Sequence, residues 1–363
     1  MIVNAYTDPG LWPVQRADQL SARFHELGQK DVIRWTWAPA PATVTLNYFA
    51  SGPDELLASL EGFEYVPHDE VTDWSGVDVL ILTAHGADMA VRVMEYRRRH
   101  PKMVVLLWLW DNHLAHMNNL KTVMTCDMYF ASHAYDSAYL NNLSCPEGMH
   151  VPACSAQWTV QEARELLSEL SGVARSSQLL LNYVDYKFSW RSELLAKLRA
   201  ELDQADSLLM PSHDRGRYFG KSSKERLAEW VGHKATLILP VQRDLSTRVF
   251  DALLAGLVVI APRMIADFDV VFPPEMQERL GMVRIDDFEM PTIRAAIEQA
   301  NVNFDRLGEE GVKARSDFIL EGHMLSHRMH AMLRALRMAC AGRLAVRLTG
   351  SEQLPLGLRF VTA

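Results

Sequence analysis

The chain has 363 residues, 48% of them hydrophobic, and a formal net charge of −8. This length is more than one ordinary hydrophobic core accommodates, so two domains are expected. The negative charge, without a long run of lysine and arginine, argues against general affinity for nucleic acid. The most apolar run, at residues 103–110, is much shorter than the roughly 20 residues of a membrane-spanning helix, and the first residues show no leader pattern. We therefore expect a cytoplasmic protein without an integral membrane span.

The first half of the chain alternates between strand patterns and helix patterns. Strands are predicted at residues 1–5, 32–37, 77–83, 103–109 and 127–132, with a further apolar segment at 44–50. Helices are predicted at residues 13–27, 54–60 and 87–100. This alternation is typical of a doubly wound α/β lobe, which we expect to span residues 1–155.

The second half begins with a helical pattern at residues 161–170, inside a segment that we interpret as a linker, 156–178. A second α/β lobe is predicted over residues 179–335, and it starts with an apolar strand at 179–182. The last segment, 336–363, has an ambiguous pattern.

The most informative pattern of the second lobe lies between residues 235 and 262. Two short apolar runs, 235–239 and 257–261, each end at a proline and are typical of buried parallel strands. The helix between them has Ser246 and Thr247 as candidate N-caps and Gly256 at its end. A strand that leads into a helix in this way presents backbone N–H groups and the positive end of a helix dipole at the carboxyl edge of the sheet. Phosphate is the usual ligand of such an edge.

Charged side chains near this helix start favour the same ligand. Arg243 and Arg248 supply positive charge, and Asp251 lies one turn inside the helix. Its carboxylate could accept hydrogen bonds from both hydroxyls of a ribose while the arginines hold a diphosphate. These residues therefore predict a site for a nucleotide-diphosphate sugar. The alternative is a surface helix start with ordinary charge pairing.

The segment RDLSTRVFDALLAGLVVIAPR, residues 243–263, resembles the donor-site signature of GT-B glycosyltransferases of the family-4 type and of the CgeB-like spore-maturation proteins. That signature is Arg-x-Phe-Glu-Ala-x-x-x-Gly before a strand. The matching residues are Arg248, Phe250, Ala252 and Gly256, and Asp251 stands in the place of the glutamate. Family-4 enzymes usually carry a second acidic residue eight positions earlier, where this chain has Arg243.

Two further segments show a looser resemblance to the same family. Residues 179–202 are similar to the first strand, basic loop and first helix of its donor domain, and residues 311–333 to its closing helices. The basic loop contains Lys187 and Arg191, which suit a diphosphate, although any solvated loop can carry such residues. The resemblance implies the GT-B fold, in which two Rossmann-like, doubly wound lobes face each other across a cleft. It also implies that residues 336–363 return to the N-terminal lobe.

Polar and aromatic residues lie at the end of the most hydrophobic strand of the first lobe. They are Trp108, Trp110, Asp111 and His113, and His85 occupies a similar position after the strand at 77–83. Aromatic rings stack on the apolar faces of sugars, while carboxylates and imidazoles bond to hydroxyls. We expect Trp108, Trp110 and His85 to contact the acceptor, and His113 or Asp111 to activate it. The alternative is that the tryptophans belong to the core and that Asp111 caps a helix.

The resemblance implies a glycosyltransferase that moves a sugar from a nucleotide-diphosphate donor to a hydroxyl of a glycan, a lipid-linked acceptor or a protein. It also implies that the configuration at the anomeric carbon is retained and that no metal ion takes part. The expected donor site consists of Lys187, Arg191, Arg243, Ser246, Thr247, Arg248 and Asp251. No cofactor is expected, because the chain has neither G-x-G-x-x-G in its first strand-helix turn nor a P-loop, and its four cysteines form no C-x-x-C pair. The alternatives are an epimerase or hydrolase of nucleotide sugars, and a non-catalytic scaffold. Nothing in the sequence predicts the oligomeric state.

Overall fold

The computed structural model describes residues 12–38, 60–67, 76–83, 89–110, 119–134, 145–185, 189–202, 205–206, 210–211, 220–350 and 355–362. The strand predicted at 1–5, the apolar segment at 44–50 and nearly all of the helix predicted at 54–60 lie outside these residues.

Strands and helices are numbered here in chain order within the described residues. The strands are β1 (Ile33–Ala38), β2 (Phe63–Tyr65), β3 (Val79–Thr83), β4 (Val104–Leu109), β5 (Met128–Ala131), β6 (Ser176–Leu180), β7 (Val184–Asp185), β8 (Ala205–Asp206), β9 (Met210–Pro211), β10 (His233–Leu237), β11 (Val258–Pro262), β12 (Val283–Ile285), β13 (Leu344–Gly350) and β14 (Pro355–Thr362). The helices are α1 (Trp12–Leu27), α2 (Met89–Arg99), α3 (Val160–Glu169), α4 (Ser189–Glu201), α5 (Ser223–Val231), α6 (Thr247–Leu254), α7 (Phe268–Val271), α8 (Pro274–Arg279), α9 (Met290–Gly322) and α10 (Leu325–Cys340).

The chain forms two compact units. The first contains the described residues up to 152 together with those from 326 onward, and the second contains the described residues 153–325. Residues 156–178, which the sequence suggested as a linker, belong to the second unit, because Trp158 and Ala163 are fully buried in its core. The last segment of the chain belongs to the first unit.

The first unit is built on a parallel sheet with the strand order β2-β1-β3-β4-β5. Every residue of β3 and β4 is buried, which agrees with their continuous apolar sequence. The ambiguous C-terminal segment contains the end of α10 and an antiparallel hairpin of β13 and β14 that packs against α1. In this contact the ring centres of Phe24 and Phe360 are 5.8 Å apart.

The second unit is built on a parallel sheet with the strand order β12-β11-β10-β6-β8. Alternate residues of β11 enter two different hydrophobic clusters, so helices cover both faces of this sheet. One cluster contains α4 and the first part of α9, and the other contains α3, α5, α6 and the end of α9. The α/β class with two Rossmann-like lobes, predicted from the sequence, is confirmed by the strand orders of the two units.

Candidate functional site

The start of α6 lies at the carboxyl edge of the second unit's sheet. Strand β10 ends at Leu237, and a loop that contains Gln242 in the left-handed region, with φ of 59°, leads to the helix. Ser246 occupies the N-cap position with extended φ and ψ, but its side chain makes no capping hydrogen bond. The hydroxyl and the first N–H groups of the helix are therefore in the right place to bind an anion.

The other end of α6 is held in place by three side-chain donors. Ser316 Oγ, Arg175 Nη2 and Arg315 Nε donate to the carbonyls of residues 254, 255 and 256 at 2.8, 2.9 and 2.8 Å. Gly256 has φ of 80°, the left-handed conformation that commonly ends a helix at glycine. Two cations at the negative end of the helix dipole stabilise α6 and fix its direction.

Two arginines meet at the ring of Tyr183, three residues beyond β6. The Cζ atoms of Arg248, from α6, and Arg191, from α4, lie 4.0 and 4.7 Å from the centre of this ring. The tyrosine hydroxyl donates to the carbonyl of Leu237 at 2.6 Å and accepts from the N–H of Leu239 at 2.9 Å. Burial raises the pKa of Tyr183, so the ring stays neutral and holds both guanidinium groups by cation–π contacts.

The guanidinium group of Arg248 is oriented by neutral partners. It donates to the side-chain and main-chain oxygens of Asn182 and also lies 5.1 Å from the ring centre of Trp230. The Asn182 amide donates in turn to Glu229 Oε1 at 2.6 Å. Within the part of the chain that the structure describes, no carboxylate forms an ion pair with Arg248. These contacts fix the orientation of the guanidinium group, and no carboxylate among the described residues neutralises its charge by direct contact.

The remaining residues predicted at this helix start lie around the same edge. Arg243 is exposed in the loop before α6, and its Nε donates to the carbonyl of Met264 at 3.3 Å. Ser246 and Thr247 are partly exposed, whereas Asp244 is buried. The structure therefore brings Arg243, Ser246 and Thr247 to the helix start that also carries Arg248.

Asp251 has a different environment from the one that the sequence suggested. It is 2% exposed, and its two oxygens accept hydrogen bonds of 2.7 Å from Ser155 Oγ and Gln157 Nε2. Burial raises its pKa to about 6 despite these two bonds and the nearby Arg248. Because the side chain is closed to solvent, the carboxylate is not open to ribose hydroxyls in this structure. Asp251 instead ties residues 155–157 to α6.

The residues predicted for acceptor binding lie partly outside the described residues. This applies to His85, Asp111 and His113, and also to Lys187 of the donor site. Trp108 is fully buried, and its indole N–H donates to the carbonyl of Val151 at 2.9 Å. A ring with no exposed face cannot stack on a sugar, so Trp108 belongs to the core. Trp110 follows β4 and packs edge-on against Trp108, with 4.7 Å between ring centres.

Sequence reasoning missed His133 at the carboxyl edge of the first unit's sheet. Leu109 of β4 pairs with Ala131 of β5, and His133 is the second residue after β5. The side chain of His133 is 2% exposed. A histidine directly after a predicted strand was a usable signal, by the same rule that selected residues 108–113.

The described residues contain no group of three or more histidine, cysteine, aspartate or glutamate side chains suited to a metal ion. Among the helices with described residues, none combines the length and apolar character needed to cross a membrane.

No protein-family model matches the chain, and no curated protein matches it significantly. Solved structures to which the chain shows some similarity include the following three. A sucrose-phosphate synthase from Thermosynechococcus elongatus has a TM-score of 0.47 and 12% identity, covering 76% of this chain and 81% of its own. A UDP-forming α,α-trehalose-phosphate synthase from Burkholderia vietnamiensis has a TM-score of 0.41 and 10% identity, covering 72% and 73%. A UDP-GlcNAc 2-epimerase from Neisseria meningitidis, bound to UDP-GlcNAc, has a TM-score of 0.44 and 8% identity, covering 84% and 99%.

All three TM-scores lie below 0.5. The two α/β lobes are established by the strand orders of the chain's own sheets. The narrower resemblance to CgeB-like proteins stays a prediction.

Proposed function

We propose that the protein is a glycosyltransferase that uses a nucleotide-diphosphate sugar as donor. The observation that carries this proposal is the pair of guanidinium groups around Tyr183, at the carboxyl edge of a parallel sheet and beside the start of α6. Ligands of open α/β sheets bind at this edge, and helix starts favour phosphate there. Because Arg248 has no ion pair among the described residues, an incoming diphosphate would supply its counter-charge.

This arrangement suits the departure of a diphosphate. In the transfer, the bond from the anomeric carbon to the phosphate oxygen breaks and a bond from that carbon to the acceptor oxygen forms. The acceptor proton passes to a base or to the leaving phosphate. Negative charge grows on the diphosphate as its bond breaks, and Arg191, Arg248 and the α6 start would stabilise it. We propose that these groups stabilise the leaving diphosphate without a metal ion. By family resemblance, we also propose that the transfer retains the configuration at the anomeric carbon.

The acceptor would bind the first unit. Trp110 is a described aromatic residue at that sheet edge and is 9% exposed, so a small part of its ring is open to an acceptor. Asp111 and His113 continue from the same strand end and remain candidates for orienting or deprotonating the acceptor hydroxyl. The acceptor would be a glycan, a lipid-linked molecule or a protein.

The proposal is tested by titrating UDP, GDP, TDP and CDP into the wild-type protein and following its thermal unfolding. A ligand that binds only the folded state raises the unfolding temperature. The informative variant is Arg248→Met, which keeps apolar contact with Tyr183 and Trp230 but removes the charge. Loss of a charge-assisted hydrogen bond of about 1.5–3 kcal/mol should weaken nucleotide binding about 10- to 150-fold.

Arg279→Met is the matched control, because Arg279 is an exposed arginine on α8 of the same unit. It should bind nucleotide like the wild type, and EDTA should change neither binding nor turnover. Absence of nucleotide binding, or equal affinity in the Arg248→Met variant, would contradict the proposal. Consumption of a bound nucleotide sugar without any acceptor would indicate a hydrolase or an epimerase, and binding without turnover would favour a scaffold.

A further inference from the structure

An aromatic pair lies at the carboxyl edge of the second unit's sheet and has no role in the proposed diphosphate site. The ring centres of Trp190 and Phe288 are 5.8 Å apart, and the planes are tilted by 37°. Trp190 is 38% exposed, whereas the other tryptophan and phenylalanine side chains that the structure describes are buried or half-buried. A large apolar ring that stays open to solvent at a ligand-binding edge is a candidate contact surface.

The pair is next to the proposed diphosphate site. Trp190 directly precedes Arg191 near the start of α4, and Phe288 lies in the loop between β12 and α9. These two helices pack in the same hydrophobic cluster, on the face of the sheet opposite α6. Because neighbouring residues on a helix point in directions about 100° apart, Arg191 can turn to Tyr183 while Trp190 turns to Phe288.

The loop that carries Phe288 is acidic. Asp286, Asp287 and Glu289 are all exposed. Asp286 pairs with Arg263 at 3.0 Å, and Asp287 Oδ1 accepts the N–H of Glu289 at 2.9 Å. Carboxylates repel phosphate, but they readily accept hydrogen bonds from hydroxyl groups. The chemistry of this surface therefore suits a neutral ring that has an apolar face and several hydroxyls.

We propose that Trp190 and Phe288, with Asp287 beside them, bind the pyranose ring of the sugar that the diphosphate carries. This inference rests on the proposed function, since the phosphate contacts of Arg191 and Arg248 would bring the sugar to the pair. The apolar face of the pyranose packs on the indole of Trp190. Its hydroxyls donate to Asp287.

The test compares a nucleoside diphosphate with its sugar-loaded forms in isothermal titration calorimetry. The probes are UDP, UDP-glucose, UDP-galactose and UDP-N-acetylglucosamine, and GDP with GDP-mannose. In the Trp190→Ala variant, affinity for the sugar-loaded form that binds best should fall about three- to tenfold, while affinity for the bare diphosphate stays unchanged. Trp190→Phe keeps an aromatic face and should remain close to the wild type. Val302→Ala, at an exposed apolar residue of α9, is the matched control and should change neither affinity.

Failure of the sugar subsite and failure of the diphosphate site give different results. If Trp190→Ala weakens both ligands equally, or weakens neither, the sugar subsite is refuted. A diphosphate site that is sensitive to Arg248→Met survives that result. If no probe binds the wild-type protein, both the diphosphate site and the sugar subsite are contradicted.

Discussion

Replacing Asp251 by asparagine tests what a buried carboxylate does on the helix of the candidate site. Both of its oxygens accept hydrogen bonds of 2.7 Å, from Ser155 and Gln157, and the side chain is 2% exposed. Burial nevertheless raises its pKa from 3.8 to about 6. The folded protein therefore binds a proton at Asp251 more tightly than the unfolded chain does.

The direction of the pH effect follows from this difference. Between about pH 4 and pH 6 the folded state holds the proton and the unfolded state does not, so Asp251 contributes to the free energy of unfolding. The contribution is complete below about pH 4 and is lost as the pH rises to about 6. A shift of about two pKa units corresponds to about 3 kcal/mol. The Asp251→Asn variant cannot titrate, so wild-type stability should increase relative to that variant as the pH is lowered from 7 to 4.

The measurement is urea denaturation of both proteins at several pH values, followed by circular dichroism. Other titrating groups are common to the two proteins and cancel in the difference. Glu278→Gln, at an exposed residue of α8, is the control and should run parallel to the wild type. A stability difference between wild type and Asp251→Asn that is flat from pH 4 to 7, or that grows with rising pH, would refute the reasoning.

Three further predictions follow from the described contacts. Tyr183→Phe keeps the ring between the two arginines but leaves the N–H of Leu239 without its buried acceptor, so the free energy of unfolding measured with urea should fall by about 1–3 kcal/mol. Asp127 is fully buried among three arginines of the first unit, so Asp127→Ala should destabilise that unit by roughly 3–5 kcal/mol. The control variant Asp18→Ala, at an exposed residue, should not destabilise it. Hydrogen exchange, measured separately for each unit, shows whether the loss of stability is confined to the first unit. In a transfer assay, His113→Ala should lower the rate a hundredfold or more, as for a lost general base, while nucleotide affinity remains unchanged. If that variant transfers sugar at full rate, the acceptor site must be sought elsewhere, with His85 tested next.

Hydrophobic patterning predicted much of the fold. Continuous apolar runs predicted the strands that are observed at Val79–Thr83, Val104–Leu109 and Val258–Pro262. A candidate cap, an apolar face and a terminal glycine predicted α6. These features are local, so a sequence is enough to find them. Helix α5 was missed although Ser222 and Glu225 form a capping box, which the structure confirms at its start.

The site was only partly predictable, because its geometry depends on contacts between distant residues. Arg248 was predicted from its position at a helix start, but its contact with Tyr183 depends on how α6 packs beside β6. Asp251 lies 96 and 94 residues from its two hydrogen-bond donors, and no local pattern indicates such partners. A carboxylate on the first turns of a helix looks the same in a sequence whether it faces a ligand or the core.

The most direct test of the central claim is a crystal structure of the protein with the nucleoside diphosphate that stabilises it best. We predict phosphate oxygens at about 3 Å from the guanidinium groups of Arg191 and Arg248, and the β-phosphate at the start of α6. Density for the nucleotide at another place on the chain would contradict the claim. So would a nucleotide at this edge whose phosphates contact neither arginine.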